Sequence, residues 1–361
     1  MTAAGGHHRD MTNFAKAFAA ARAGEWWEYK LVPLMAVFYA TALFLDVPIA
    51  AVWPAALMLL SAIIPGAIFV SVINDLSDRA DDRAAGKVNR MEGRSTAEAA
   101  AWVVLPLCAG ALIAWWWRAN PPLLAAYLGA WIAFSLYSLP PFRLKARGLA
   151  GVLADGSGAH LFPSLIAVLL VFAQTGFAPA PGWLAAIGIW AGAYGVRGIL
   201  WHQLSDRDAD HAASVRTFAQ RRHPEQTVSI ARWIVFPLEA AALTAMLLML
   251  RHPLPALMLA GYALLTILRV HWWRMVAVLV RPRSRYLLIL HDYYDVLWPV
   301  ALLVASAWAH PVDGLVLILH LLAFPRRVRE VLHDTYRLIR QAPANLPWLD
   351  QILRRIGRVR R

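Results

Sequence analysis

The sequence predicts an all-α polytopic membrane protein, a bundle of about nine transmembrane helices around a central cavity. Hydrophobic residues make up 60% of the 361-residue chain and charged residues only 16%, whereas soluble domains are usually about a quarter charged. Apolar runs of about 20 residues recur along the chain. Because a helix of that length crosses about 30 Å of hydrocarbon, these runs indicate repeated membrane crossings.

The apolar runs between charge clusters predict the order of the helices. They place spans at 30–47, 50–74, 99–117, 122–138, 151–173, 183–203, 229–250, 254–278 and 287–309. A run at 312–324 is short for a crossing, so it is a possible tenth span, a re-entrant segment or a helix within the protein. The predicted organisation is a cytoplasmic or interfacial segment at 1–29, a transmembrane domain at 30–325 and a basic cytoplasmic or interfacial tail at 326–361.

The basic residues concentrate in alternate connections between the predicted helices. The intervening connections carry only Arg118 and Arg251. Because Lys and Arg accumulate in cytoplasmic loops, we expect a bacterial inner-membrane protein whose N-terminus and basic loops face the cytoplasm. This pattern accounts for the net charge of +13 without nucleic acid as a partner. The basic connections contain Arg79, Arg83, Lys87, Arg90 and Arg94, then Arg143, Lys145 and Arg147, then Arg207, Arg216, Arg221 and Arg222, and finally Arg281, Arg283 and Arg285.

Two terminal segments, 14–24 and 328–340, mix apolar and basic residues at helical spacing. Such segments are typical of helices that lie on an anionic membrane surface. A plain solvated helix is the alternative interpretation of both.

Two clusters of carboxylates lie at the predicted cytoplasmic ends of the second and sixth spans. Members of each cluster are four residues apart, which puts them on one helix face. Carboxylates close to a membrane repel each other and lose hydration, so we expect a cation to bind between them. A solvated helix end with ordinary charge pairs is the alternative. The candidate metal ligands are Asn74, Asp75, Asp78, Asp82, Asp206 and Asp210.

These oxygen-rich clusters predict a site for magnesium and a diphosphate. Mg²⁺ prefers oxygen ligands and usually takes one or two carboxylates together with phosphate oxygens of a substrate. Two clusters on two helices predict two ions across one diphosphate, and nearby basic residues can bind the same anion. The basic candidates are Arg79, Lys87, Arg143 and Lys145. No Walker loop, nucleophile elbow, HExxH motif or CxxC pair competes with this interpretation.

Several other ionisable residues lie inside the apolar runs, where charge commonly marks function. His202 precedes Asp206 by four residues, so it can face the same cavity. One interpretation of the HDYYD stretch at 291–295 is that it shapes an acceptor pocket. Most of the histidines are equally well explained as hydrogen-bonded core residues. The remaining intramembrane candidates are Asp155, His160, Arg197 and Arg269.

At its acidic motifs the sequence resembles the UbiA superfamily of intramembrane prenyltransferases. Residues 74–82 match the family's NDxxDxxxD motif, and residues 206–210 match its second DxxxD motif. The stretch YSLPPFRLKARG at 137–148 is similar to the family's Tyr–Pro-Pro–Arg-Leu-Lys connection. The resemblance covers roughly residues 30 to 310. It implies a nine-helix bundle around a cavity open to the membrane, and it adds Tyr137 to the expected substrate-binding residues.

The resemblance also implies the chemistry, which is Mg²⁺-dependent transfer of a prenyl group from an isoprenyl diphosphate to an aromatic or other small acceptor within the bilayer. Asp78, Asp206 and Asp210 are then the expected catalytic residues. Three departures from the family pattern bear on the acceptor. Ser214 replaces the usual Gly after the second motif, residues 89–95 lack the usual Arg-Pro, and the C-terminus is longer.

The motifs leave other functions open. A terpene cyclase, in which the substrate's own double bond attacks the cation, needs the same carboxylates. So does phosphoribosyl transfer to a polyprenyl phosphate. A transporter with paired acidic sites is a non-enzymatic alternative. It is disfavoured because the acids lie at helix ends and no inverted repeat with broken helices is visible.

Overall fold

The structure is a computed structural model that describes residues 23–250 and 252–346. Nearly all of these residues belong to helices, and one short two-stranded sheet lies near the C-terminal end. The α5, α8 and α10 helices each contain one π-helical turn. The helices are α1 (Ala23–Phe44), α2 (Trp53–Ala84), α3 (Thr96–Trp116), α4 (Pro121–Ser138), α5 (Leu149–Thr175), α6 (Pro181–Ser205), α7 (Arg207–Ala212), α8 (Pro224–Leu250), α9 (Pro253–Trp273), α10 (Tyr293–Ala309), α11 (Asp313–Ala323) and α12 (Pro325–Asn345).

Within the described residues, six helices are long and apolar enough to cross a membrane, namely α2, α3, α5, α6, α8 and α9. The apolar helices α10 and α11 are shorter. The expected all-helical bundle is therefore confirmed, whereas helix length and composition do not confirm the expected count of nine spans. The predicted segment boundary at residue 29 falls inside α1, and the one at residue 325 coincides with the start of α12.

The second helix is longer than predicted. We expected its span at 50–74, but α2 has 32 residues and continues to Ala84. A helix of that length measures about 48 Å, so its last turns extend past an apolar core of about 30 Å. Gly86 follows with a φ of 66°, a left-handed conformation that glycine adopts without strain. The first carboxylate cluster therefore lies on one continuous helix.

The connection between α9 and α10 contains less helix than predicted. The sequence predicted one helix that ends at residue 278 and a second that begins at residue 287. Instead, α9 ends at Trp273, and Val276–Val278 pairs in parallel with Tyr286–Leu288. Arg274 ends the helix with a left-handed φ of 54°. The β-branched valines beyond it favour an extended chain, which periodicity over a long apolar window does not reveal.

The α5 and α6 helices approach each other closely at two glycines. A Cβ atom on Gly195 would lie 2.6 Å from the carbonyl oxygen of Gly156, so no larger residue fits there without movement. Directly after Gly156, α5 contains its π-helical turn at Ser157–Leu161. Such turns often occur at functional sites. The turn carries His160, whose ring centroid lies 4.8 Å from that of Tyr194 on α6.

The middle of the bundle is packed with aromatic side chains. Trp190 on α6 is buried, and its ring centroid lies 5.1 Å from that of Trp298 and 5.3 Å from that of Tyr294 on α10. Trp183 and Tyr293 are also completely buried. These contacts fix α10 against α6.

The short run at 312–324 forms α11, which lies alongside α1. Asp313 accepts hydrogen bonds from the backbone N–H groups of Ile49 (2.9 Å) and Ala50 (2.7 Å) in the connection between α1 and α2. At the other end, Trp27 Nε1 donates to the carbonyl oxygen of Ala323 over 2.9 Å. The start of α11 is therefore held by the connection between α1 and α2, and its end is held by α1.

Candidate active site

The two carboxylate clusters face one cavity of about 220 Å³ where α2 and α6 end. We call it the carboxylate pocket, and the end of the bundle that contains it the carboxylate end. Both clusters line the pocket, although 119 residues of sequence separate Lys87 from Asp206. The predicted residues that line it are Asn74, Asp75, Asp78, Asp82, Lys87, Tyr137, Lys145, Asp206 and Asp210.

Asp78 is held by two cations from the connection between α4 and α5. Lys145 Nζ hydrogen-bonds to its Oδ1, and Arg143 Nη2 donates to the same atom over 3.0 Å. Arg143 also contacts Asp81, an acidic residue of the pocket that the family motif does not include. Burial lowers the pKa of the Lys145 ammonium, and the charge of Asp78 opposes this shift.

Close packing against α5 positions these two cations. Arg143 takes a left-handed φ of 39°, and the next residues form a short 3₁₀ turn, Leu144–Ala146. A Cβ atom on Gly151 would lie 2.5 Å from the carbonyl oxygen of Leu144. Because this close approach fixes the turn against the start of α5, Lys145 lies buried beside the carboxylates and not in bulk water.

The connection after α2 links the two clusters. Lys87 Nζ lies 3.0 Å from Asp206 Oδ2, so the first motif's loop reaches the second motif. Asn89 is buried and donates through Nδ2 to the Asp75 carbonyl oxygen (2.6 Å) and to Asp82 Oδ2 (2.8 Å). Sequence reasoning missed Asn89, because only the folded loop brings it back against the helix.

The second cluster lies across the junction between α6 and α7. Thr217 Oγ1 donates to Asp210 Oδ2 over 3.2 Å. Burial and the nearby charge of Asp206 together raise the pKa of the Asp210 carboxyl to about 6, although the Thr217 hydrogen bond and Lys87 oppose the shift. Ser214 has a φ of 56°, which favours glycine. Ser214 therefore adopts the left-handed turn conformation that suits the glycine usual in the family at this position.

Two of the predicted basic residues do not line the carboxylate pocket. Arg79 donates through Nη2 to the Met91 carbonyl oxygen over 2.7 Å, so it fixes the loop. Arg143 reaches the pocket only through its contacts with Asp78 and Asp81. Gln203, His202 and Thr217 were not among the predicted ligands but line the pocket. Helical spacing from Asp206 had already indicated the position of His202.

The donor set of the pocket fits Mg²⁺. Asn, Asp and Thr oxygens are the hard ligands that this ion prefers. In the part of the chain that the structure describes, no three His, Cys, Asp or Glu side chains form a group that could hold an ion directly. Lysine and arginine side chains contact the carboxylates Asp78 and Asp206. An ion that binds here must replace some of these contacts.

The bundle contains two further cavities. An apolar cavity of about 120 Å³ is lined by Gly66, Trp131, Phe134 and neighbouring residues of α1, α2, α4 and α5. A larger cavity of about 810 Å³, which we call the polar cavity, lies between α1, α6, α9, α12 and the second strand. His202 lines both the carboxylate pocket and the polar cavity, and Lys30 lines both the apolar and the polar cavity. The polar cavity therefore adjoins both of the other spaces.

Most charges of the polar cavity pair with one another. Arg197 binds the buried Glu239 through Nε (2.6 Å) and Nη2 (2.8 Å). Arg269 contacts Asp292 and lies 3.1 Å from Asp334 of α12. The HDYYD stretch contributes His291 and Asp292 to the lining. Asp295 of the same stretch is buried, and its Oδ2 lies 3.2 Å from His291 Nε2.

Comparison with known proteins identifies the family. Residues 31–289, well over half of the chain, match the UbiA prenyltransferase family. A lycopene elongase/hydratase of Halobacterium salinarum is 26% identical over 241 residues, which cover 61% of this chain and 78% of that protein.

Two solved structures of a UbiA homolog from Archaeoglobus fulgidus have the same fold. The one bound to GPP and Mg²⁺ has a TM-score of 0.56 and 17% identity, and the match covers 83% of this chain and 99% of that chain. The one bound to DMAPP and Mg²⁺ has a TM-score of 0.55 and 18% identity over 81% and 99% of the two chains. The chain described here is a multi-pass membrane protein that belongs to the UbiA prenyltransferase family.

Proposed function

We propose that the protein transfers a prenyl group from an isoprenyl diphosphate to an aromatic or other small acceptor within the membrane, and that the reaction depends on Mg²⁺. The observation that carries the proposal is the convergence of both acidic motifs on one pocket together with Lys87 and Lys145. A diphosphate is a dense anion, and a pocket that combines carboxylates with lysines suits an anion that arrives with divalent cations.

The carboxylate pocket is the proposed site of the diphosphate. Asn74, Asp75, Asp78, Asp82, Asp206 and Asp210 would hold Mg²⁺, which when bound neutralises the leaving diphosphate and lowers the barrier to C–O cleavage. Lys145 and Arg143 contact Asp78, and Lys87 contacts Asp206, so each cation is within reach of an anion that enters between the two clusters. Tyr137 lines the same pocket and offers a hydroxyl.

The apolar cavity is the proposed site of the prenyl tail. Each methylene that leaves water gains about 0.8 kcal/mol, so the tail is expected to enter the bundle and not the solvent. Phe134 and Trp131 line this cavity, and the ring centroid of Phe69 lies 4.9 Å from that of Trp131. Aromatic faces of this kind can stabilise an allylic cation, and the apolar wall excludes water from it.

The polar cavity is the proposed site of the acceptor. Its volume of about 810 Å³ lies within the range of small-molecule sites, about 300–1,000 Å³. Through His202 it adjoins the pocket in which the diphosphate would leave. Tyr29, Tyr194 and Tyr262 line it, which suits an acceptor with both aromatic and polar surface.

A second candidate acceptor is a long polyene. The relative from Halobacterium salinarum is named for elongation and hydration of lycopene, which is an apolar acceptor. Its 26% identity motivates a test, whereas the charged lining of the polar cavity favours a polar acceptor. Cyclisation of the donor and phosphoribosyl transfer remain alternatives that use the same pocket.

The test is product analysis with the full chain in lipid nanodiscs, Mg²⁺ and isoprenyl diphosphates of increasing length, with aromatic acceptors, lycopene or no acceptor. We expect diphosphate release that requires both Mg²⁺ and an aromatic or other small acceptor, with a product heavier by one prenyl group. Release without an acceptor, together with a cyclic hydrocarbon, would instead identify a cyclase. Failure to consume any isoprenyl diphosphate would refute the proposal.

We also propose that the carboxylate end faces the cytoplasm. In a Cys108→Ala background, Asp208→Cys at this end should react with an impermeant thiol reagent only from the cytoplasmic side of sealed vesicles. Phe177→Cys lies in the connection between α5 and α6 and should react only from the outside. Reversal of the two patterns would reverse the orientation.

A further inference from the structure

The C-terminal helix α12 lies outside the residues that match the family and has three distinct faces. One face packs on the bundle. Val331 and Leu338 are buried there, and Asp334 lies 3.1 Å from Arg269. Near the end of the helix, Gln341 Oε1 accepts a hydrogen bond of 2.6 Å from Trp273 Nε1. This face therefore attaches α12 to the end of α9.

The second face of α12 is apolar and exposed. Leu332, Tyr336 and Ile339 are 63%, 57% and 66% exposed. Their spacing of four and three residues places them in one stripe along the helix. Single exposed apolar residues are ordinary on a protein surface, but an aligned stripe on a helix otherwise rich in charge indicates a surface that something apolar covers.

The third face is basic and adjoins the apolar stripe. Arg326, Arg329, Arg337 and Arg340 are exposed. Among the described residues of α12, Glu330 is the acidic side chain on the exposed surface, and it is paired with Arg326 and Arg327. An excess of positive charge beside an apolar stripe complements an anionic lipid surface, because the stripe enters the acyl boundary while the arginines reach the phosphates.

The position of α12 places this stripe at the level of a membrane surface. The helix directly follows α11, which exposes Leu315, Leu319 and Leu322 along its length. Its first turn is fixed by Glu28 of α1, which accepts hydrogen bonds from the backbone N–H groups of Arg326 and Arg327. Because α12 also contacts α9 and the residues at the start of α10, it crosses the carboxylate end of the bundle where the apolar surface of α11 stops.

We propose that α12 is an interfacial helix that binds an anionic lipid leaflet through this stripe and its flanking arginines, and that lipid binding holds one wall of the polar cavity in place. The buried face of α12 supplies Arg327, Val331 and Asp334 to the lining of that cavity, and the adjoining edge of the exposed surface adds Arg326 and Glu330. Arg327 also contacts Asp292, across the cavity wall. Anionic lipid would thus stabilise the closed cavity without touching the carboxylate pocket.

The experiment places one environment-sensitive dye on the full chain in a Cys108→Ala background. Ile339→Cys reports on the apolar stripe, and His333→Cys is the matched control on the same helix, because His333 is exposed on the basic side. The chain is reconstituted in nanodiscs of phosphatidylcholine alone or with added phosphatidylglycerol. We expect the dye at position 339 to shift to the blue and to be quenched by a lipid-chain quencher, more strongly with phosphatidylglycerol. The dye at position 333 should report water.

The arginines are tested in the same nanodiscs. Arg329→Gln combined with Arg340→Gln should remove the response of position 339 to phosphatidylglycerol, whereas Arg118→Gln, near the start of α4, should leave it unchanged. In the chain that keeps all its arginines, added salt should weaken the response of the dye at position 339 to phosphatidylglycerol, because salt screens surface charge.

Two outcomes would overturn the proposal. A dye at position 339 that reports water in both lipid mixtures would show a solvated helix. A dye at position 339 that is shielded from water but not quenched by the lipid-chain quencher would show that protein covers the stripe. That protein would be either another segment of the chain or a second copy. Neither outcome depends on turnover, so the proposal can fail independently of the proposed prenyl transfer.

Discussion

The carboxylate pocket and the polar cavity both contain clustered charge, but they use it differently. In the carboxylate pocket, acidic side chains outnumber their basic partners and are held by lysines at partly accessible positions, such as Lys87 with Asp206. At the polar cavity, Arg197 is instead held by a buried partner, Glu239, and their side chains are 3% and 0% exposed. Charge in the first region can be exchanged for a ligand, whereas charge in the second stabilises the bundle.

The comparison teaches that intramembrane charge alone does not identify a ligand site. Burying a charge is costly unless it is paired, so helices that cross inside a bundle retain pairs such as Arg197 and Glu239 for structural reasons. Of the cations that line the polar cavity, Lys30 is the one without an ion pair to any described residue. Surplus charge that adjoins a cavity is the better sign of binding.

The largest expected effect breaks the internal pair. Arg197→Met leaves Glu239 buried without its cation, so we expect a loss of about 3–5 kcal/mol in the free energy of unfolding. Arg83→Met removes an exposed pair with Glu92 and should cost less than about 1 kcal/mol. Unfolding in detergent measures both variants.

The double variant Arg197→Met with Glu239→Gln sharpens this test. It removes both charges. It also leaves an amide oxygen that can accept from the Tyr294 hydroxyl, which in the unmodified protein donates to Glu239 over 3.0 Å. We expect most of the lost stability to return. If Arg197→Met were no less stable than Arg83→Met, the charges of the polar cavity would not be structural.

The next effect concerns turnover at the carboxylate pocket. We expect Asp78→Ala to lower turnover on the order of a hundredfold or more, about 2.7 kcal/mol, and chelation of Mg²⁺ to abolish turnover. The protein should remain folded, because Asp78 lies beside a cavity and not in a packed core. Asp208→Ala is the matched control, since Asp208 is exposed on α7 and does not line the pocket. Near-normal turnover of Asp78→Ala would remove that carboxylate from the reaction.

A smaller effect is expected at the connection between α4 and α5. Lys145→Gln should raise the apparent KM for the isoprenyl diphosphate about tenfold, or about 1.4 kcal/mol, because Lys145 is buried at the pocket. Arg147→Gln in the same connection should leave this KM unchanged, since Arg147 is exposed, does not line the pocket and donates a hydrogen bond to the Pro141 carbonyl oxygen. Equal donor KM values for the two variants would mean that Lys145 serves only to anchor the loop.

The smallest effect is a change in selectivity for donor length. Gly66 lines the apolar cavity, and no atom lies within 4 Å of a Cβ placed there. We expect Gly66→Trp to shorten the longest donor accepted while short donors react as before. Gly261→Trp, on the exposed side of α9, is the control. Equal loss of short and long donors would place the tail elsewhere.

The sequence predicted much of the fold and of the carboxylate pocket for identifiable reasons. Spacing of four residues put Asp78 and Asp82 on one helix face, and apolar run lengths located most of the long helices. Asn89 and Thr217 could not be predicted, because they reach the carboxylates from loops whose path depends on tertiary packing. The pairing of Arg197 with Glu239 was equally hidden, since nothing local in either helix identifies a partner 42 residues away.

The most direct test of the account measures binding of an isoprenyl diphosphate by titration calorimetry to the full chain in nanodiscs, with and without Mg²⁺. The central claim is that both acidic motifs hold one metal-bound diphosphate. It predicts binding that requires Mg²⁺, that is lost equally in Asp78→Ala and Asp206→Ala, and that persists in Asp208→Ala. Full Mg²⁺-dependent affinity in either Asp78→Ala or Asp206→Ala would contradict the claim, because one cluster would then suffice.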